Sequence, residues 1–195
     1  MAVSYFDQVK KEASAAGIKN NTKKSLKWFC EKLIYMTGIS RSKILKDSAL
    51  QKANTPLIGR MFMYFYDPKT KKTLPFYDRF PLIIMVDKAP GGFYGLNLHY
   101  LDPIMRAVFF DKLLSYTNNK NYDETTKLRL SYDLLRSASK LKEFEPCFKR
   151  YLTSHIKSQI TEVPASEWEV AIFLPTEQFA KGTKASVWKN SKSII

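Results

Sequence analysis

Apolar residues in the first quarter of the chain recur at helical spacing. Residues 4–16 predict a short helix that ends at Gly17. An Asn-Asn-Thr turn at 20–22 begins a second helix, and a third, more polar helix is predicted over 40–52. The second helix has an apolar stripe at i, i+3, i+4 spacing and a basic opposite face, which is typical of an amphipathic helix on a core. Its stripe consists of Leu26, Phe29, Cys30, Leu33, Ile34 and Thr37.

Residues 56–101 change to a pattern typical of short β-strands. Residues 59–66 alternate apolar and aromatic side chains up to an Asp67-Pro68 turn, and residues 81–86 are apolar throughout. The Gly91-Gly92 pair separates that run from another aromatic strand. Breaks at Gly and Pro bound strands in this way. We therefore predict a small antiparallel sheet or SH3-like barrel over about 57–101.

Helical patterns return after residue 101. Asp102 followed by Pro103 predicts a helix N-terminus, and we expect Ile104, Val108, Phe109, Leu113 and Tyr116 to face inward along that helix. A strand is predicted over 160–163. Further helices are predicted from Asp123 or Glu124, over 146–155, over 170–174 after a capping-box pattern at 166–169, and over 177–191.

These elements together predict an α+β fold, in which an SH3-like β core packs with N-terminal and C-terminal helices. The segments are a basic helical region over 1–55, the β-rich core over 56–101 and a C-terminal helical region over 102–195. At 195 residues the chain is long enough to bury a sizeable core, and we expect a single domain.

The charge balance narrows the range of partners. The chain carries 32 Lys and Arg against 18 Asp and Glu, a net charge of +14, and residues 1–55 hold the largest share of this surplus. Such a field favours polyanions, which include DNA, RNA, anionic lipid and acidic protein faces. Lys outnumbers Arg, which favours non-specific phosphate contact over bidentate recognition of bases. The alternative is a lysine-rich surface that serves only solubility.

Lysines and aromatic residues occur together on two of the predicted helices and in one loop. Lysines can neutralise phosphates, and a tryptophan can stack on a base or against a neighbouring chain. The residues that we predict for nucleic-acid or polyanion contact are Lys23, Lys24, Lys27, Arg41, Lys43, Lys69, Lys71, Lys72, Lys184 and Lys189. The residues that we predict for docking of a partner are Trp28, Phe76, Tyr77, Phe93, Tyr94 and Trp188.

Patterns of catalytic chemistry are weak in this sequence. His99 shares a strand face with Asn97, but neither cysteine has a nucleophile signature around it, so a structural role is expected. The glycines at 91–95 lack the Lys-Ser/Thr pair of a P-loop. The carboxylates do not form the cluster of a two-metal nuclease, and Asp78 with Arg79 is expected to form a local ion pair or to brace the loop. We therefore predict no catalytic residues, no metal and no cofactor.

Cysteine usage and hydropathy indicate where the protein is made and used. Cys30 and Cys147 are far apart in the chain and are expected to be free, buried thiols, as in a reducing cytosol. The sequence has neither the apolar region of a signal peptide nor an apolar stretch of about 18 residues. We therefore expect a protein that is made and used in soluble form, without a membrane partner.

Several longer motifs resemble a family of small basic proteins that large contractile-tailed bacteriophages encode. They are YDPK at 66–69, FYDRFP at 76–81, GFYGLNLHYL at 92–101 and EWEVAIFLP at 167–175, and the resemblance spans about residues 58–188. It implies a phage setting and a role as a virion or morphogenesis component, which in some members is protection of packaged DNA ends. It implies no catalytic residues. The likeness of the β segment to SH3-like barrels concerns the fold alone.

The leading hypothesis is a non-enzymatic structural or assembly protein of a phage virion, which contacts DNA or an acidic partner through its basic helices. It would be made in the bacterial cytoplasm and would join other phage structural proteins in a multi-subunit assembly. One alternative is a tail, baseplate or neck module that binds only proteins. Another is a nuclease or toxin-like enzyme built on a small β barrel.

Overall fold

The chain forms an α+β structure, as predicted, in which helices pack against an antiparallel sheet. The computed structural model describes residues 5–48, 50–54, 56–117, 121, 133–134 and 142–193. The α-helices in these ranges are α1 (Tyr5–Ala15), α2 (Lys23–Leu33), α3 (Arg41–Leu45), α4 (Pro103–Thr117), α5 (Trp168–Ala171) and α6 (Lys184–Ser193). The strands are β1 (Gln51–Ala53), β2 (Met61–Met63), β3 (Tyr77–Asp78), β4 (Leu82–Ala89), β5 (Gly92–Asn97), β6 (Phe148–Leu152), β7 (Ile160–Val163) and β8 (Phe179–Ala180).

Six of these strands form one open sheet with the order β1-β7-β2-β4-β5-β6, and every neighbouring pair in it is antiparallel. The predicted antiparallel sheet is confirmed, but it does not close into a barrel, because the two edge strands β1 and β6 do not pair with each other. The sheet also takes β1, β6 and β7 from outside the predicted core of 56–101. Strands β3 and β8 form a separate two-stranded ribbon. The SH3-like likeness stays a prediction.

The central strands β2 and β4 are buried on both faces of the sheet over residues 61–63 and 82–86. Met61 and Met63 contribute to the large core that the helices share, whereas Phe62 and Ile83 belong to a smaller cluster rich in tyrosine and phenylalanine. Successive side chains of a strand point to opposite faces. A strand that is covered on both faces therefore has a continuous apolar sequence, which explains the run at 81–86.

The first two predicted helices are confirmed, and the third is shorter than predicted. Thr22 caps α2: its hydroxyl accepts the Ser25 N–H, and the Ser25 hydroxyl accepts the Thr22 N–H at 2.9 Å. Helix α3 ends at Leu45, and residues 51–53 form β1 instead of a helical continuation. Pairing with β7 at the edge of the sheet determines the conformation of this polar segment.

The C-terminal half contains the largest errors of prediction. The helix expected over 146–155 is wrong, because residues 148–152 form the edge strand β6, paired with β5. The helix expected over 177–191 begins only at Lys184, since 179–180 pair with β3 and Lys181 has a positive φ of 62°. The strand at 160–163 is confirmed. The helix expected from Asp123 or Glu124 lies outside the described residues.

Helix α4 buries only part of the face that was predicted to point inward. Asp102 caps it, as expected, by accepting the Met105 N–H at 3.0 Å. Phe109 and Leu113 are buried, but Ile104 and Val108 are 69% and 44% exposed. The helix carries apolar residues around much of its circumference, so the sequence pattern alone did not identify the buried face.

Candidate nucleic-acid interface

The basic residues predicted from the sequence lie on at least two separate surfaces. Lys23 and Lys27 border a shallow depression between α2 and α4. Lys69 lines a different groove, described below, and belongs to the same connection as Lys71 and Lys72. The side chains of the predicted set that are exposed are those of Lys23, Lys24, Lys27, Lys43, Lys69, Lys71, Lys72 and Lys189.

Five members of the predicted set have protein partners. The pairs of Lys23, Lys27 and Lys71 lie at the surface, where ion pairs contribute little to stability and leave the ammonium group able to bind another anion. The bonds of Arg41 and Lys184 instead connect α3 and α6 to the segment at 176–177. The contacts are Lys23–Asp111 (3.3 Å), Lys27–Glu31 (3.9 Å), Lys71–Asp67 (2.8 Å), Lys184–Glu177 (2.9 Å), and Arg41 to the Thr176 and Glu177 carbonyls (2.6 and 2.8 Å).

The aromatic residues predicted for docking have different environments. Phe93 is buried against Tyr151, so the prediction that it docks a partner is wrong. The Trp188 indole is partly buried, and its Nε1–H donates to the His99 carbonyl at 2.9 Å. The remaining predicted side chains are half-buried: Trp28 packs edge-on against Phe29, Tyr94 stacks on Phe148 with ring centroids 5.2 Å apart, and Phe76 and Tyr77 line the groove.

A groove lies between the connection that follows Tyr66 and the edge strand β6, and we call it the aromatic groove. It has a volume of about 730 Å³, within the range of roughly 300–1,000 Å³ that is usual for small-molecule sites. Tyr77 belongs to the ribbon strand β3 and Phe76 directly precedes it, whereas Phe148 belongs to β6. Its aromatic lining consists of Tyr66, Phe76, Tyr77, Tyr100, Phe148 and Tyr151.

Three cationic residues, Lys69, Lys149 and Arg150, also line the aromatic groove. The Lys149 ammonium lies 4.5 Å from the centroid of the Tyr100 ring, a cation–π contact. Burial lowers the pKa of Lys149 because it removes water from the ammonium group. Sequence analysis missed Lys149 and Arg150 because it assigned 146–155 to a helix. Residues 148–152, Phe-Lys-Arg-Tyr-Leu, do not alternate apolar and polar side chains, so the sequence offers no local signal that could have identified them.

One wall of the groove is held in place by Lys181. Its ammonium donates to three backbone carbonyls of the opposite loop, those of Lys71, Lys72 and Leu74, at 2.7, 2.9 and 3.1 Å. Lys71 in turn pairs with Asp67 at the start of this loop. A lysine outside the predicted set therefore fixes the loop that presents Lys69.

The groove floor contains a buried hydrogen-bond network centred on Asp78. Its carboxylate lies 2.6 Å from His99 Nδ1, and the Thr176 hydroxyl lies 3.2 Å from His99 Nε2. The partner of Asp78 is thus His99 and not Arg79, which is exposed, so the predicted Asp78–Arg79 ion pair is wrong. The carboxylate also accepts the Asn97 side-chain amide and the N–H groups of Phe80 and Gln178.

These donors keep Asp78 ionised although it is buried. Burial alone would raise the pKa of this carboxyl, but the His99 imidazole and the two backbone N–H groups together lower it below its ordinary value of 3.8. His99 is fully buried and its ring nitrogens contact Asp78 and Thr176. Its structural role stays a prediction.

The buried guanidinium of Arg106 connects the helices behind the groove. Arg106 donates to the carbonyls of Leu101, Ile172 and His99, and its guanidinium lies 5.6 Å from the centroid of the Trp188 ring. Burial lowers the pKa of Arg106, which the nearby Glu177 carboxylate opposes. These bonds hold α4, α5 and α6 together around the segment that carries His99.

The described part of the chain gives little support for a reactive thiol, a metal site or a membrane span. Cys147 is buried, and burial raises the pKa of its thiol to about 12, so it is protonated at neutral pH. No group of three or more His, Cys, Asp and Glu side chains is placed to hold a metal ion among the described residues. Within those same ranges, no helix is both long and apolar enough to cross a membrane.

Comparison with known proteins identifies one family. The family model for the Phage T4 terminal DNA protecting protein matches residues 1–192. Neither the curated proteins nor the solved structures gave a match. The family match confirms the resemblance to phage proteins that protect DNA ends, and it covers the chain from its first residue to α6. The chain therefore belongs to the Phage T4 terminal DNA protecting protein family.

Proposed function

We propose that this protein binds the ends of linear phage DNA and shields them from nucleases, without catalysing a reaction itself. The observation that carries the proposal is the family match over residues 1–192, because the description of that family names protection of terminal DNA. A protein that occludes an end needs affinity for DNA and a surface that fits the end. It needs no catalytic group.

The electrostatics support binding to DNA. The net charge of +14 attracts a polyanion over long distances, and each phosphate that a lysine neutralises releases counterions. Exposed lysines such as Lys24, Lys43, Lys72 and Lys189 are suited to backbone contact, since their ammonium groups bind phosphate without reading the sequence. We infer that they hold the duplex while the groove with Lys69 lies near its end.

We further propose that the protein acts within the phage particle. It would be made in the cytoplasm of the bacterial host and would accompany the packaged DNA with other phage structural proteins. An end-binding protein needs few copies, since a linear genome has only two ends.

A second candidate function is docking to another phage protein, as in a tail, baseplate or neck module. The observation in its favour is an apolar surface beside α2 and α4, where Tyr35, Ile104 and Val108 are 78%, 69% and 44% exposed. Exposed apolar patches of this kind often mark protein contacts. This function is compatible with DNA binding, but a protein that only docks would leave DNA ends unprotected.

An exonuclease-protection assay with the purified full chain tests the main proposal. We expect a linear duplex to resist both 5′- and 3′-directed exonucleases once each end has bound protein, and to be recovered at full length. The control is a covalently closed circle of the same sequence, whose cutting by an endonuclease should be unaffected at the same protein concentration. Digestion of the linear duplex at the rate seen without protein would contradict the proposal.

A further inference from the structure

We propose that the aromatic groove holds the terminal nucleotide of one DNA strand, separated from its partner strand, with the base between aromatic rings and the phosphate against the cations. This inference rests on the proposed function and assigns a ligand to one site within it. The groove, the cations and the fixed loop support it by separate observations.

The shape and lining of the groove suit a nucleobase. Tyr77 and Phe148 are half-buried residues from two different strands that line the same cavity of about 730 Å³. Aromatic side chains bind bases by stacking, and this works for any base because every base has a π-face. A groove of this kind therefore binds an unstacked nucleotide of any sequence. A protein that binds DNA ends requires this tolerance.

The charges in the groove suit a phosphate. Lys69, Lys149 and Arg150 all line it. Arg150 donates through Nη2 to the Pro90 carbonyl at 2.7 Å, which limits the directions the guanidinium can take. The acidic lining residue, Asp78, has its carboxylate engaged by His99 and by backbone N–H groups. The remaining charge in the groove is therefore positive.

Base stacking within the duplex makes a terminal nucleotide easier for the groove to bind than an interior one. Inside a duplex, both π-faces of a base are covered by its neighbours, and exposing them requires unstacking that costs a few kcal/mol. Binding an unpaired nucleotide at a strand end requires little unstacking, so it avoids most of that cost. The loop that Lys181 holds through three carbonyls also provides a wall that does not have to be ordered on binding.

The test measures the affinity of the full chain for three short DNAs of one sequence by fluorescence anisotropy. The first is a dumbbell closed by hairpins at both ends, the second has one open blunt end, and the third has a few unpaired thymidines at that open end. We expect the wild-type protein to bind the third most tightly and the dumbbell most weakly. A 2-aminopurine in the terminal unpaired position should lose fluorescence on binding, because it stacks.

Variants assign the effect to the groove. Tyr77→Ala should weaken binding to the unpaired end about tenfold and abolish the 2-aminopurine quenching, whereas Tyr77→Phe, which keeps the ring, should retain both. Lys69→Glu changes an exposed side chain and should weaken binding without affecting the fold. Lys112→Glu, the same charge reversal at an exposed lysine on α4, is the matched control and should bind as the wild type does.

The outcomes separate the two proposals. Equal affinity of the wild-type protein for the dumbbell and the open ends would overturn the proposed function, and this inference with it. A preference for open ends that persists in both Tyr77→Ala and Lys69→Glu would overturn the groove assignment alone. Should Tyr77→Ala fail to fold, as seen by circular dichroism, Lys69→Glu and the quenching signal decide the question.

Discussion

The carboxylate of Asp78 connects several segments of chain beneath the aromatic groove. Through His99 and Asn97 it holds the end of β5, and through the Gln178 N–H it holds the start of the ribbon strand β8. His99 continues the connection to Thr176. A buried charge with this many donors is stable where it is, but removing the charge leaves several donors without an acceptor.

We predict that Asp78→Asn lowers the free energy of unfolding by about 3 kcal/mol at neutral pH, as expected for a buried, hydrogen-bonded charge. The folded pKa of Asp78 lies below its ordinary value of 3.8, so its contribution is complete above pH 3.8 and is lost as the pH falls through the lower folded value. The stability difference between wild type and variant should therefore shrink in strong acid. Urea unfolding at a series of pH values measures it.

The control for this prediction is Asp87→Asn, which changes an exposed carboxylate that accepts the adjacent Lys88 N–H. It should leave stability within about 0.5 kcal/mol of the wild type, as is usual for surface substitutions. If Asp78→Asn had the same free energy of unfolding as the wild type at pH 7, the network would not hold the groove floor.

At the scale of elements, the groove depends on the pairing of β5 with the edge strand β6. Gly92 begins β5 opposite Leu152, and a Cβ built there would lie 1.8 Å from the Tyr151 carbonyl oxygen. Only glycine allows the two backbones to approach this closely. The preceding Gly91 serves a different purpose: its φ of +68° turns the β4–β5 hairpin.

We predict that Gly92→Ala lowers the free energy of unfolding by about 3 kcal/mol or separates β6 from the sheet, because the methyl group and the Tyr151 carbonyl cannot occupy the same space. Thermal unfolding reports the first outcome, and faster amide hydrogen exchange over 148–152 reports the second. Gly91→Asn is the matched control, since asparagine tolerates a left-handed φ and a Cβ there meets no atom within 4 Å. Unchanged melting and unchanged exchange in Gly92→Ala would contradict this packing.

The elements that sequence analysis predicted correctly are those whose signals are local. The Asn-Asn-Thr turn at 20–22 directly precedes α2, the helical stripe containing Phe29 lies within that helix, and the apolar run at 81–86 leads into β4. Strand β6 was missed because its conformation is set by pairing with β5, whose residues lie 52 to 60 positions earlier in the chain. The secondary-structure propensity of residues 148–152 carries no information on that partner strand.

The candidate site was predicted in part, for the same reason. Lys69, Phe76 and Tyr77 were identified from a loop rich in lysine and aromatic residues, and they line the groove. Lys149 and Arg150 were not identified, because only the pairing of β6 with β5 brings them to the other wall. The contact of His99 with Thr176 joins residues far apart in the sequence, which a reading of local patterns does not reveal.

At the scale of the whole molecule, the positive charge and the groove have different consequences for DNA binding. The charge of +14 provides affinity for any stretch of DNA, and this affinity falls steeply with salt because counterions are released on binding. Stacking of a base in the groove releases no counterions, so that part of the end-binding free energy is retained when salt is added. A preference for ends should therefore persist as the salt concentration rises, while total affinity falls.

The most direct test of end binding is a competition between linear DNA and a covalently closed circle of identical sequence, each displacing a labelled open-ended duplex from the protein. We predict that displacement follows the molar concentration of ends and not that of nucleotides, so the circle competes poorly and continues to do so when salt is added. Fragmenting the linear competitor should increase its potency in proportion to the new ends. Equal displacement by circle and line at equal nucleotide concentration would contradict the account.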